Sequence, residues 1–167
     1  MIKVKNQKSK NRGFTLIELL VVIAIIGILS TLSIVALNNA RQRARDAKRV
    51  FDIRQIQTAL TLYFNDKNEY PEFAAGGIIL GSDAYDVLCD TAAGFQGDTT
   101  GCVAIFKGMV PKNPTPNGAD YRYSARTSAG AECTTAPCAS YQITFTLEGT
   151  TGELAAGPRT ATPDGIQ

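Results

Sequence analysis

The chain contains no histidine and no tryptophan. The first absence removes the side chain that most often acts as general base or metal ligand, and with it any Ser/His/Asp triad. No glycine-rich stretch has the spacing of a phosphate-binding loop. The four cysteines, Cys89, Cys102, Cys133 and Cys138, include no CxxC pair, so with no histidine beside them zinc is not expected. Asp83 and Asp86 read as helix-start and surface groups, not as an acid/base pair. The expectation is a non-enzyme with no cofactor and no metal site. Charge is also missing locally. Residues 1–13 carry Lys3, Lys5, Lys8, Lys10 and Arg12 but no acid, and residues 14–37 carry only Glu18. Proline and glycine are missing from residues 38–64.

What is present is segregated. Residues 14–37 form one apolar run, about 36 Å long as a helix and so sufficient for a hydrocarbon core of about 30 Å. A cleaved secretory signal would have a shorter core followed by a small-residue site. A buried soluble helix is seldom apolar on every face over such a length. The basic leader should stay cytoplasmic by the positive-inside bias, with the remainder outside. Glu18 needs explaining, because a carboxylate costs about 2.5–3.5 kcal/mol at mid-bilayer. Either it sits solvated at headgroup level, or it pairs with a cation from another copy of the chain.

The segment Arg12-Gly13-Phe14-Thr15-Leu16-Ile17-Glu18 resembles the prepilin processing motif of the type IV pilin and type II secretion pseudopilin superfamily. The resemblance implies that a membrane prepilin peptidase cuts between Gly13 and Phe14 and N-methylates Phe14. It also implies that Glu18 attracts the Phe14 amine of a neighbouring subunit during assembly. Two desolvated charges are tolerable when paired with good geometry, and such a pair could set axial register. Val35 stands where many members have a kinking proline, although Gly27, Ser30 and Ser33 could soften the helix there. The implied partners are copies of the chain, other pilin-like subunits, the peptidase and a membrane assembly platform. The implied product is a structural filament subunit, stored as a single-pass protein of the cytoplasmic membrane and then moved to a periplasmic or extracellular filament. The alternative is a single-span, membrane-anchored extracytoplasmic binding domain that never polymerises.

Residues 38–67 continue as an amphipathic helix, in which Val50, Ile53, Ile56, Leu60, Tyr63 and Phe64 recur at helical spacing. Before Val50 the stripe is thin, so packing against a domain is expected from about residue 50. The basic run 41–54 has three readings: a solvated helix face with local pairs such as Asp46–Arg49 and Lys48–Asp52, contact with anionic lipid, or neutralisation of acidic domains on adjacent subunits.

Residues 68–167 read as a globular domain. From residue 55 on there are six basic against twelve acidic side chains, which does not suggest nucleic-acid binding. Residues 71–118 contain eight glycines and four prolines and read as an irregular loop with a short helix near 83–88. Strands are expected at 119–125, at 140–147 from the alternation of Tyr141, Ile143, Phe145 and Leu147, and at 153–156; the tail 157–167 is read as irregular. The fold class is α+β: a long N-terminal helix on a small antiparallel sheet of about three strands, pilin-like. An even cysteine count beyond a membrane segment reads as disulfides. Proximity favours Cys89–Cys102 and Cys133–Cys138 among three possible pairings. The Tyr70-Pro71 pair after a long helix looks most like the major pseudopilins. The calcium loop of those proteins is not expected here, because the tail supplies only Asp164 and the distant Glu153.

Overall fold

The computed structural model describes residues 13–116 and 118–167. Its elements are helix α1 (Leu16–Lys67) and strands β1 (Ile78–Ile79), β2 (Val87–Cys89), β3 (Phe95–Gln96), β4 (Ile105–Lys107), β5 (Arg122–Arg126), β6 (Ser140–Leu147), β7 (Gly157–Thr162) and β8 (Gly165–Ile166). The chain forms two compact units, one up to Ala40 and one from Arg41 to Gln167. This is an α+β, pilin-like arrangement.

In the first unit every described residue, from Gly13 to Ala40, is exposed. The helix is apolar all round and touches nothing that would keep water off it. Ser30, Thr31 and Ser33 return their hydroxyl protons to the carbonyls of Ile26, Ile28 and Leu29. Their polar atoms are thus satisfied within the helix, which suits an apolar surrounding.

In the second unit, residues Arg41–Lys67 of α1 lie on a five-stranded antiparallel sheet of order β1-β5-β6-β7-β8. Ile53, Ile56, Leu60 and Tyr63 from the helix are buried with Tyr121, Tyr123, Tyr141, Ile143, Phe145 and Leu147 from the sheet side. The alternation expected over 140–147 is the burial pattern of β6. A second sheet, β3-β2-β4, covers the far end of the helix, where Phe106 meets Tyr63 edge-on at 5.5 Å. The helix ends at Lys67 because Asn68 turns to a φ of 59° and donates its N–H to Phe64 O. This left-handed stop is one that asparagine tolerates.

Three expectations are corrected. Residues 83–88 form no helix: Tyr85 and Gly81 close a turn through Ser82, and Val87–Cys89 is a fully buried strand held between two others. Residues 153–156 form no strand, since Thr151 and Leu154 bridge each other in a tight turn. The third long strand is instead Gly157–Thr162, and the tail read as irregular supplies both β7 and β8. Pro158 misled that reading. It pairs with Thr146 where β8 and Gln167, which reach only Thr160, Ala161 and Thr162, give β7 no neighbour on the other side. A missing N–H costs little there.

Candidate functional site

Gly13 and Phe14 precede the first turn of α1, and Phe14 is 82 % exposed. Glu18 lies in that first turn, where the helix dipole favours a negative group. Thr15 donates both its backbone N–H, at 2.8 Å, and its hydroxyl, at 2.7 Å, to Glu18 Oε2. Glu18 N–H returns a bond to Thr15 Oγ1 at 3.3 Å. Thr15-Leu16-Ile17-Glu18 is therefore a capping box. The sequence contained its signature, a threonine followed three residues later by glutamate before an apolar run, and the reading of Glu18 as an assembly residue passed over it. Only Oε2 is engaged in these bonds, so the carboxylate is oriented at the helix start. Residues 1–12, with the basic leader and Arg12, lie outside the described residues.

A second polar constellation emerges from the run read as a solvated basic face. Of the three readings of that run, the solvated face holds for Arg41, Arg43, Lys48 and Arg54 but not for the Asp46–Arg49 pair, which forms buried: Arg49 is 0 % and Asp46 1 % exposed. Arg49 Nη1 donates to Asp46 Oδ1 at 2.6 Å and to Glu148 Oε1 at 2.7 Å. Its Nε donates to Asn113 Oδ1, and its Nη2 to Pro114 O. Arg45 clasps Glu148 through two parallel bonds of 2.7 and 2.6 Å, the geometry in which arginine binds carboxylate best. Asp46 accepts the backbone N–H groups of Glu148 and Gly149. Together these bonds fasten the β6–β7 turn and the 113–118 loop to the helix. Packing therefore begins well before the expected residue 50, with Gln42 against Gly149 and then through the charges of Arg45 and Asp46. Gly118 is required at the rim: its φ is 110°, and a Cβ would lie 3.0 Å from Arg49 Nη2. What could have flagged the site is Asp46–Arg49 at helical spacing together with a lone glutamate just after the strongest strand.

Asp52 is buried below Tyr121, whose hydroxyl donates to Asp52 Oδ2 at 3.2 Å. Burial raises the Asp52 pKa above its ordinary 3.8, against the Tyr121 hydrogen bond and the charges of Lys48 and Lys107. A carboxyl with a raised folded pKa binds protons more tightly in the folded state. Its contribution to stability is therefore largest at low pH and is lost as pH rises through the folded value. The unfolding temperature of Asp52→Asn relative to the parent should thus rise as pH is increased from about 4 to about 7. Paired melts across that range test this, and a pH-independent difference would contradict it.

The structure joins Cys89 to Cys102 and Cys133 to Cys138, with Cα–Cα distances of 5.5 and 5.7 Å. The second closes the loop between β5 and β6, and the first ties β2 to the 97–102 loop. Among the described residues no three acidic or cysteine side chains converge as a metal-holding group.

Residues 8–34 match the family described as the prokaryotic N-terminal methylation motif. The match takes in Gly13, Phe14, the Thr15–Glu18 cap and the apolar run. The chain is 36 % identical over 73 residues to the type IV major pilin protein PilA of Myxococcus xanthus (strain DK1622), covering 44 % of this chain and 33 % of that one. It is 41 % identical over 70 residues to the type II secretion system core protein G of Aeromonas hydrophila, covering 42 % and 49 %. Identity to core protein G of Escherichia coli (strain K12) is 44 % over 62 residues, covering 37 % and 43 %. Over about two fifths of its length the chain is homologous to type IV pilins and type II secretion core G proteins. These alignments span a third to a half of each relative's length. No solved structure matches the chain.

Proposed function

We propose that this pilin homologue is the structural subunit of a filament of the type IV pilus or type II secretion kind. In this reading residues 1–13 are a cytoplasmic leader and residues 14–37 are the membrane and assembly half of the helix. Residues 38–67 continue the helix outward, and residues 68–167 form the domain the filament displays. The precursor is held in the cytoplasmic membrane and cut by prepilin peptidase between Gly13 and Phe14. N-methylated at Phe14, it is then polymerised with copies of itself and other pilin-like subunits on a membrane platform. The role is structural rather than enzymatic. The observation that carries this reading is an apolar helix left exposed on every side from residue 13 to residue 40, with its one acid at the N-terminal turn. Lipid covers such a surface before assembly, and sister helices cover it afterwards.

The mass of the protein purified from cells with an active peptidase tests the first step. A chain starting at Phe14 and carrying one added methyl group is expected. A chain that still starts at Met1 would mean a plain membrane anchor.

A further inference from the structure

The face of the second unit's helix that points away from the sheet is organised. Phe51 is 61 % and Leu62 50 % exposed. They stand eleven residues apart, which is three helical turns, so they lie on one line. Arg43 and Arg54 are also eleven residues apart and run along one flank of that line, and Lys48 lies along the other. Arg45 and Arg49 on the inner side are consumed by Glu148 and Asp46. Among the described residues, Arg43 and Arg54 have no acidic partner within the chain. The result is an apolar ridge with two cations lacking an acidic partner, Arg43 and Arg54, along one flank and Lys48 along the other.

The complementary surface is on the same molecule. Val103 is 93 % exposed at the tip of a loop pinned by the Cys89–Cys102 bond. Its N–H donates to Asp90 Oδ1 at 2.9 Å. Asp98, in the same loop, is exposed and accepts the N–H of Thr100. Asp66 and Asp90 lie on either side of Lys67, at 3.4 and 4.0 Å. Here an exposed apolar knob stands in one loop with the exposed acid Asp98, while Asp90 and Asp66 are engaged by Lys67. The Tyr63 hydroxyl, bonded to Thr91 O, fixes this loop at the level of helix residue 63. That is twelve residues, or about 18 Å, beyond Phe51 along the axis.

We propose that the occupant of the Phe51–Leu62 ridge is the Val103 loop of a second copy of this chain, with the exposed Asp98 of that copy meeting Arg54. This rests on the filament reading, which sets copies side by side with parallel helices. Apolar meets apolar and cation meets acid only when the two copies are stepped along the axis. The two patches differ, so the contact is head-to-tail, leaves one free patch at either end of the assembly, and does not close on a dimer. Its charged rim makes it weaken with ionic strength and sets register outside the membrane, where Glu18 has no influence.

A photoreactive benzophenone side chain at Phe51 of the full-length protein, expressed in its own membrane, tests the contact. Illumination should give a two-chain adduct whose linked peptide contains Val103. Yield should fall about tenfold or more with Arg54→Glu or with Asp98→Lys, and return when one chain carries both. Thiol labelling confirms that both disulfides remain closed in each variant. Adducts that map to another segment, to lipid or to a foreign protein overturn the contact, as do yields indifferent to the reversals. Failure of the underlying reading looks different. With an uncut N-terminus and no filaments but a persistent Phe51–Val103 adduct, the docking stands and the filament does not. With filaments that depend on Glu18 but a Phe51 adduct elsewhere, the filament stands and the docking does not.

Discussion

Glu18→Ala is expected to leave the protein inserted and cleaved at Gly13 while reducing filaments recovered by shearing about tenfold or more. Three effects of the change compete. Loss of the glutamate arm of the capping box, which leaves Thr15 Oγ1 to accept the N–H of residue 18, costs the helix start about 0.3–1.5 kcal/mol, which the second unit, beginning at Arg41, does not feel. Removing a carboxylate makes insertion into lipid easier, by up to about 2.5–3.5 kcal/mol at full depth. Neither reduces filaments. Only loss of the proposed attraction to the Phe14 amine of a neighbour would do so, and in a medium without water a broken charge pair costs more than either. Glu18→Gln separates cap from charge, because glutamine still accepts from Thr15 in a capping box. It should process normally and fail to assemble. Filaments at parental levels from Glu18→Gln would show that only the cap matters.

Arg49→Ala should have the largest effect on the domain itself, about 3–5 kcal/mol of lost stability. The guanidinium is fully buried, and its removal strips one partner from Asp46, from Glu148, from Asn113 and from Pro114 O. Asp46 then keeps a buried charge with only the N–H groups of Glu148 and Gly149 to solvate it. Arg45 still holds Glu148, so the damage centres on Asp46. Arg49→Lys should recover only part of the loss, since an ammonium cannot reproduce the fork. Thermal unfolding of the full chain in detergent, or protease sensitivity of the 148–156 turn, measures it. A shift no larger than that of a surface substitution would show that the buried cluster does not anchor the turn.

The outer half of α1 and strand β6 were legible because their burial has one period. Ile53, Ile56, Leu60 and Tyr63 repeat as a helix face, and Tyr141 to Leu147 alternate as a strand face. The processing segment was legible as a motif and as an apolar run whose length matches a membrane. Residues 83–88 and 153–162 were misread because local signals there are weak and pairing decided them. Val87–Cys89 becomes a strand only through β3 and β4, and Gly157–Thr162 only through β6, with Pro158 placed where β7 has no further neighbour. The polar cluster was missed for a related reason. An arginine in a basic helical run looks solvated until a glutamate about one hundred residues away is brought beside it, as Glu148 is to Arg45 and Arg49.

By itself, then, the sequence determined the membrane-length helix, the lone Glu18 at its start, the amphipathic stripe that calls for a sheet, and the even cysteine count. All of these follow from local periodicity and composition. Only the tertiary structure decided which charges of residues 41–54 turn inward to hold the domain and which stay unpaired on the outer face. It also decided how many strands the sheet contains and where Val103 is displayed. Those outcomes depend on contacts between distant residues, whose energies no local window of sequence records.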